Sequence, residues 1–128
     1  MAEAQKTTAG KRLAQQAAYY IREHSEQKFS LPRIAGALFV NGNYLARVFR
    51  RETGRTLLWY HNAIRCEKAM QLLAETELSV SEVAASVGYI SSAHFSHLFK
   101  KMTGIAPSEW RDLPPESVKD PIDLNGLM

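Results

Sequence analysis

The sequence predicts an all-α fold in which two helix-turn-helix units are separated by a long helix. Three observations lead to this prediction. Apolar residues recur at helical spacing, serines and glycines stand where helices would begin and end, and one segment of the sequence occurs twice. The 128 residues suffice for one domain or for two very small ones, and 45% hydrophobic with 23% charged residues is a globular composition.

The N-terminal part of the chain predicts a tail followed by a helix. Residues 1–10 are small and polar and lack a capping residue, which favours a flexible tail. From Lys11 to about Ser25, apolar residues recur at helical spacing, so we expect an amphipathic helix that covers a core.

The segment 78–111 has the clearest pattern of the chain. Ser79 and Glu82 form a Ser-x-x-Glu capping box, Gly88 supplies a turn, and Thr103-Gly104 ends a second helix. That order is typical of a helix-turn-helix. The second helix has two faces at helical spacing, and the polar face is small enough to enter a major groove. The apolar face holds Phe95, Leu98, Phe99 and Met102, and the opposite face holds Ala93, Ser96, His97 and Lys100.

The same pattern occurs earlier in the chain. A shift of 49 positions places Ser30 on Ser79, and after one extra residue in the second turn a shift of 50 places Phe49 on Phe99. The basic residues match as well as the apolar ones. This repeat predicts two copies of one groove-reading unit, because core packing alone does not require matched charges on the outside. The opposite face of the earlier copy holds Asn43, Ala46, Arg47 and Arg50.

Between the copies, residues 56–75 contain no glycine or proline and predict a long helix. About nineteen residues would span roughly 28 Å, near the ~34 Å that separates successive major grooves on one face of DNA. After Gly104, residues 106–111 predict a short closing helix. The predicted division is a flexible tail (1–10), a first helix-turn-helix subdomain (11–55), a linker helix (56–76), a second helix-turn-helix subdomain (77–112) and an acidic, proline-containing tail (113–128).

The distribution of charge favours nucleic acid as a partner. The formal net charge is +3, but residues 112–128 carry −3, so residues 1–111 carry +6. Two basic clusters occupy matching positions of the repeat, which is the expected electrostatic pattern of a DNA-binding surface. Neither a signal peptide nor a membrane-spanning run is evident, so we expect a cytoplasmic protein without a membrane partner.

Two other classes of function stay open at this point. A helical interaction module could use the basic helices to bind an acidic protein. An enzyme or zinc protein is disfavoured, because His61, His94, His97 and Cys66 lack metal-ligand spacing and no glycine-rich phosphate loop follows a strand. We therefore expect no catalytic residue, no metal and no cofactor.

The two units resemble the AraC/XylS family of bacterial transcription regulators over residues 12–112. The resemblance in the second unit rests on Val83-Ala84, Val87-Gly88-Tyr89, Phe95-Ser96, Phe99-Lys100-Lys101, Thr103-Gly104 and Pro107-Ser108-Glu109-Trp110-Arg111. In the first unit and the long helix it rests on Tyr44-Leu45-Ala46-Arg47, Phe49, Gly54, Tyr60, Arg65, Ala69 and Leu72-Leu73.

This resemblance implies seven helices and sequence-specific binding to promoter DNA, with activation through contact with RNA polymerase. It also implies that bases are read from the third and sixth helices. The corresponding base-reading residues are Asn43, Ala46, Arg47, Arg50, Ala93, His94 and His97. We assign phosphate contacts to Arg51, Arg55, Ser92, Lys100 and Lys101. Because His97 stands where many members carry arginine, we expect the first unit to supply most of the base discrimination. A monomer is possible if the chain acts alone.

Overall fold

The computed structural model describes residues 2–114, with side chains described from residue 9 onward. Within that range the chain forms seven helices and no strand, which confirms the predicted all-α class. The helices are α1 (Ala2–Glu23), α2 (Leu31–Ala37), α3 (Gly42–Thr53), α4 (Leu57–Glu75), α5 (Val80–Ser86), α6 (Ser92–Thr103) and α7 (Pro107–Arg111).

Helix α1 begins at Ala2 and not at Lys11, where the sequence pattern placed its start. Alanine, glutamine, lysine and glutamate, which occur in its first residues, are strong helix formers. Gly10 is buried, and a Cβ atom added there would lie 2.7 Å from Nη2 of Arg51. Glycine thus permits a close approach of α1 to the end of α3.

The described residues divide into two compact units. Unit 1 comprises residues 2–24 and 29–61, and unit 2 comprises residues 25–28 and 62–114. The division falls within α4, whose first turn belongs to unit 1 and whose remainder belongs to unit 2. The domain boundaries given above stay a prediction, and the acidic tail from residue 115 onward lies outside the described residues.

The core of unit 1 lies under α3. Leu45, Val48 and Phe49 are fully buried on one side of this helix. The ring of Phe49 meets that of Tyr60 edge to face, with centroids 5.8 Å apart. Full burial of side chains of this size contributes about 1.5–3 kcal/mol each, so the apolar half of α3 fixes its orientation in the unit.

The core of unit 2 contains a continuous run of aromatic rings. Centroid distances are 5.5 Å from Tyr89 to Phe95, 5.6 Å from Phe95 to Phe99, and 6.2 Å from Phe99 to Trp110. Such tilted and edge-to-face contacts are favourable beyond the area that they bury. The rings therefore hold α6 and α7 to the turn that follows α5.

A buried arginine supports the same turn. The side chain of Arg65 on α4 is 8% exposed. Its Nε donates to the carbonyl oxygen of Ser25 at 2.6 Å, and its Nη2 donates to that of Gln27 at 2.8 Å. The guanidinium also lies 4.8 Å from the ring centroid of Tyr89. These contacts satisfy a charge that would otherwise be costly to bury.

Candidate nucleic-acid interface

Helices α3 and α6 are built in the same way at both ends. Asn41 caps α3 by accepting from the Tyr44 N–H at 3.1 Å, and Ser91 caps α6 by accepting from the His94 N–H at 3.2 Å. At the opposite ends, Gly54 and Gly104 adopt φ angles of 76° and 85°. A side-chain cap followed by a left-handed glycine gives each helix a defined start and stop.

Each of the turns that precede these helices contains an equivalent backbone hydrogen bond. The Val40 N–H donates to Ala35 O at 3.0 Å, and the Tyr89 N–H donates to Ala84 O at 2.9 Å. Asn41 follows Val40 directly, whereas Ile90 stands between Tyr89 and Ser91. Ile90 is therefore the extra residue that changes the offset of the repeat from 49 to 50 positions.

The predicted base-reading side chains lie opposite the cores of the two units. On α3, Asn43, Arg47 and Arg50 are exposed, while Ala46 is half-buried. On α6, the three predicted residues are all exposed, namely Ala93, His94 and His97. The structure thus gathers each set on one helix of its unit, where it is available to a ligand. Their roles as base readers stay a prediction.

The predicted phosphate-binding residues have more varied surroundings. Arg55, Lys100 and Lys101 are exposed, and Ser92 is half-buried at the start of α6. The guanidinium of Arg55 lies 4.4 Å from the ring centroid of Trp59, which is a cation–π contact. The fifth residue of this set is also exposed, but it has an acidic neighbour.

That residue, Arg51, forms an ion pair with Glu52, with Nε 3.1 Å from Oε2. The Arg51 side chain is 47% exposed and the Glu52 side chain is 12% exposed. The predicted phosphate contact of Arg51 did not take this carboxylate into account. The pair partly neutralises Arg51, so we expect a weaker phosphate contact here than at Arg55.

Two aromatic side chains without a predicted role in DNA binding lie beside predicted base-reading residues. The guanidinium of Arg47 is 5.7 Å from the ring centroid of Tyr44. The ring of His94 meets that of Tyr89 edge to face, with centroids 5.5 Å apart. The i, i+3 spacing of Tyr44 and Arg47 was a readable signal for the first contact. Both rings reduce the number of positions that the polar side chain can take.

The exposed faces of α3 and α6 carry positive and neutral groups but no open carboxylate. Helix α6 has no acidic residue at all, and the acidic residue of α3 is the paired Glu52. In contrast, basic residues occupy the last turn of both helices. Neither helix therefore presents an exposed negative side chain of its own to a polyanion.

The described residues show no sign of two other kinds of site. Among the described residues, no three histidine, cysteine, aspartate or glutamate side chains are grouped so that they could hold a metal ion. Burial raises the pKa of the Cys66 thiol to about 12, which suits a core side chain rather than a nucleophile. Over residues 2–114, no helix has the length and apolar character that crossing a membrane requires.

Comparison with known proteins gives consistent matches. A family model described as a helix-turn-helix domain matches residues 34–112. The xylose operon regulatory protein of Escherichia coli K12 is 34% identical over 101 residues, which cover 79% of this chain and 26% of that protein. The chain thus spans about a quarter of the length of this relative.

Solved structures agree with this assignment. The C-terminal domain of AraT, a response regulator from Geobacillus stearothermophilus, superposes with a TM-score of 0.74 at 33% identity, over 84% of this chain and 92% of that one. The DNA-binding domain of the transcriptional factor AdpA, solved in complex with a target DNA, gives a TM-score of 0.69 at 26% identity, over 74% of this chain and 86% of that one. The expected resemblance is confirmed, and the chain belongs to the AraC/XylS family of helix-turn-helix proteins.

Proposed function

We propose that the chain is a sequence-specific DNA-binding transcription regulator that acts as an activator and inserts α3 and α6 into major grooves of a promoter. The observation that carries this proposal is the repeated helix with a buried apolar side and an exposed side free of open carboxylates. A protein partner would not require that pattern twice. DNA does, because it offers the same groove and the same phosphates at each helical turn.

Arg47 is the strongest candidate for base discrimination. It is exposed near the middle of α3, and the Tyr44 ring limits its freedom. A bidentate contact from arginine to O6 and N7 of guanine is worth about 1–3 kcal/mol of discrimination. Restraint of the side chain before binding lowers the entropy lost when that contact forms.

Exposed cations at the ends of both helices would fix the register on DNA by contacting phosphates. These residues are Arg55, Lys100, Lys101 and, more weakly, Arg51. With about four to six such contacts, log K should fall against log salt concentration with a slope of about −4 to −5.

The test compares two single substitutions. Arg47→Ala should weaken binding to the preferred site far more than binding to random DNA, because it removes a base contact. Lys101→Ala should weaken both alike and lower the salt slope by about one. Dissociation constants at three or more salt concentrations would separate the two effects. Equal losses in the two variants would remove Arg47 as a base reader.

Selection of bound DNA from a random pool would supply the preferred site. Two short boxes about one helical turn apart are expected if both helices read DNA as the sequence suggests. A single box, or no preferred sequence, would contradict the proposal. Substitution of Arg47 should alter the preference within one box and leave the other box unchanged.

Further parts of the proposal rest on family membership. The family consists of DNA-binding transcription regulators, which are not enzymes. Contact with RNA polymerase, action as a monomer and a cytoplasmic location are proposals for this chain. Contact with RNA polymerase is tested by transcription from a promoter that carries the selected site. This transcription is measured with purified polymerase, with and without the protein. Sedimentation of the protein with and without DNA tests action as a monomer.

A further inference from the structure

Phe39, in the turn between α2 and α3, has an unusual backbone. Its φ angle is 58°, and over the described residues it is the one non-glycine residue with a positive φ. The left-handed region is unfavourable for bulky side chains, since the Cβ atom approaches the following carbonyl oxygen. The turn therefore holds a phenylalanine in a conformation that glycine would adopt more easily.

The side chain of Phe39 contributes almost nothing to the stability of the fold. It is 95% exposed, so it makes almost no packing contacts. At the same position of the repeat, unit 2 has Gly88, whose φ is 106°. Glycine is the residue expected at a positive φ, so unit 2 follows this expectation at the turn, whereas unit 1 has phenylalanine there. Strained residues of this kind cluster at active sites, ligand clamps and switch regions.

Both turns display an apolar side chain just before the recognition helix. Phe39 stands three residues before Gly42, where α3 begins, and Ile90 stands two residues before Ser92, where α6 begins. Ile90 is fully exposed. In a helix-turn-helix, the N-terminal end of the recognition helix contacts the base edges. These two side chains therefore occupy the part of each unit that would lie nearest to the groove.

We propose that Phe39 and Ile90 are specificity-determining residues that pack against the 5-methyl groups of thymines in the DNA site. Thymine is the one standard base that presents a methyl group in the major groove, and an apolar side chain is its natural partner. This inference rests on the proposed function, because it requires the recognition helices to enter grooves. A protein partner is the less economical explanation, since an exposed apolar side chain is present in both turns.

The experiment replaces thymines of the selected site with deoxyuridine, one at a time, and so removes single methyl groups without altering base pairing. For the native protein, one or two positions should show about a three- to fourfold loss of affinity, the value of one buried methyl group. Phe39→Ala should bind the unmodified site about three- to fifteenfold more weakly, the loss of one or two such contacts. Deoxyuridine at those positions in its box should then have no further effect. The other thymines should respond as before.

Two further variants separate binding from folding. Phe39→Gly should bind as weakly as Phe39→Ala, yet its melting temperature should equal or exceed that of the native protein, because glycine relieves the backbone. Tyr19→Ala removes another exposed aromatic side chain of unit 1, on α1, and should leave both DNA affinity and the response to deoxyuridine unchanged.

Several outcomes would overturn the inference while leaving the proposed function intact. Native affinity of Phe39→Ala is one, and an unchanged response of that variant to deoxyuridine is another. Full DNA affinity with reduced transcription would identify a protein contact and reject thymine as the partner. If the native protein shows no preferred sequence, the proposed function fails and this inference fails with it.

Discussion

Replacing Gly88 with alanine should destabilise unit 2 by about 2.5–6 kcal/mol. A Cβ atom at this position would lie 2.5 Å from the carbonyl oxygen of Glu26 and 2.8 Å from Nη2 of Arg65. The φ of 106° adds backbone strain of about 1–3 kcal/mol for a residue other than glycine. Displacing Arg65 would also break at least one charged hydrogen bond, to Ser25 or Gln27, worth about 1.5–3 kcal/mol.

Tryptophan fluorescence during urea unfolding would measure this loss. The chain holds two tryptophans, Trp59 in unit 1 and Trp110 in unit 2. In a Trp59→Phe background, the signal comes from Trp110 alone, which is buried in unit 2. With a slope of about 1–3 kcal/mol per molar urea, the expected loss lowers the midpoint by at least ~1 M.

Gly104→Ala, in the same background, is the matched control. Gly104 also has a positive φ, of 85°, but nothing lies within 4 Å of an added Cβ atom. This variant should lose only the cost of a left-handed alanine, about 1–2 kcal/mol. The difference between the two variants measures the clash with Glu26 and Arg65. Equal midpoints for Gly88→Ala and Gly104→Ala would refute the argument that close packing at this turn fixes its geometry.

Two more predictions concern titrating groups. Hydrogen bonds from Ser79, chiefly from its backbone N–H, hold the pKa of the Glu82 carboxyl below its usual value. The ionised carboxylate therefore stabilises the fold at pH values above its unfolded pKa. This stabilisation is lost as the pH falls through the lowered pKa of the folded state. Glu82→Gln should therefore lose less stability than the native protein between about pH 5 and pH 2, measured by urea midpoints, and identical acid profiles would contradict this. Burial raises the pKa of the Cys66 thiol to about 12 and so keeps it protonated. Ellman's reagent at mildly alkaline pH should therefore react with this thiol only after urea unfolding. Rapid reaction of the folded protein would show that Cys66 is not buried.

Helices with strong local signals could be predicted from the sequence. The Ser79 and Glu82 capping box forms as expected, with hydrogen bonds of 2.9 and 3.1 Å. The predicted start of α4 near Thr56 also agrees with the structure, where Thr56 Oγ1 accepts from the Trp59 N–H at 3.0 Å. These features depend on residues three positions apart, so a linear reading suffices.

Features that depend on distant parts of the chain could not be predicted in this way. Arg65 binds carbonyl groups about forty positions earlier, and nothing in its local pattern indicates that it is buried. In the sequence, Gly10 resembles a tail residue. Its close contact with α3 is evident only in the folded structure, where α1 packs on α3. At the candidate site, helical spacing correctly separated the exposed from the buried side of α3, but that prediction did not include the contacts of Arg51 with Glu52 and of Arg47 with Tyr44.

The separation of α3 and α6 into a buried half and an exposed half bears on how such a protein can change during evolution. Residues that hold each helix in place, such as Phe49 and Phe99, do not face a ligand. Exposed positions such as Asn43, Arg47, Ala93 and His97 make no core contacts, and substitutions at positions of this kind usually alter stability by less than about 0.5 kcal/mol. Under the proposed function, single substitutions on either helix would give new operator preferences while the scaffold is inherited unchanged.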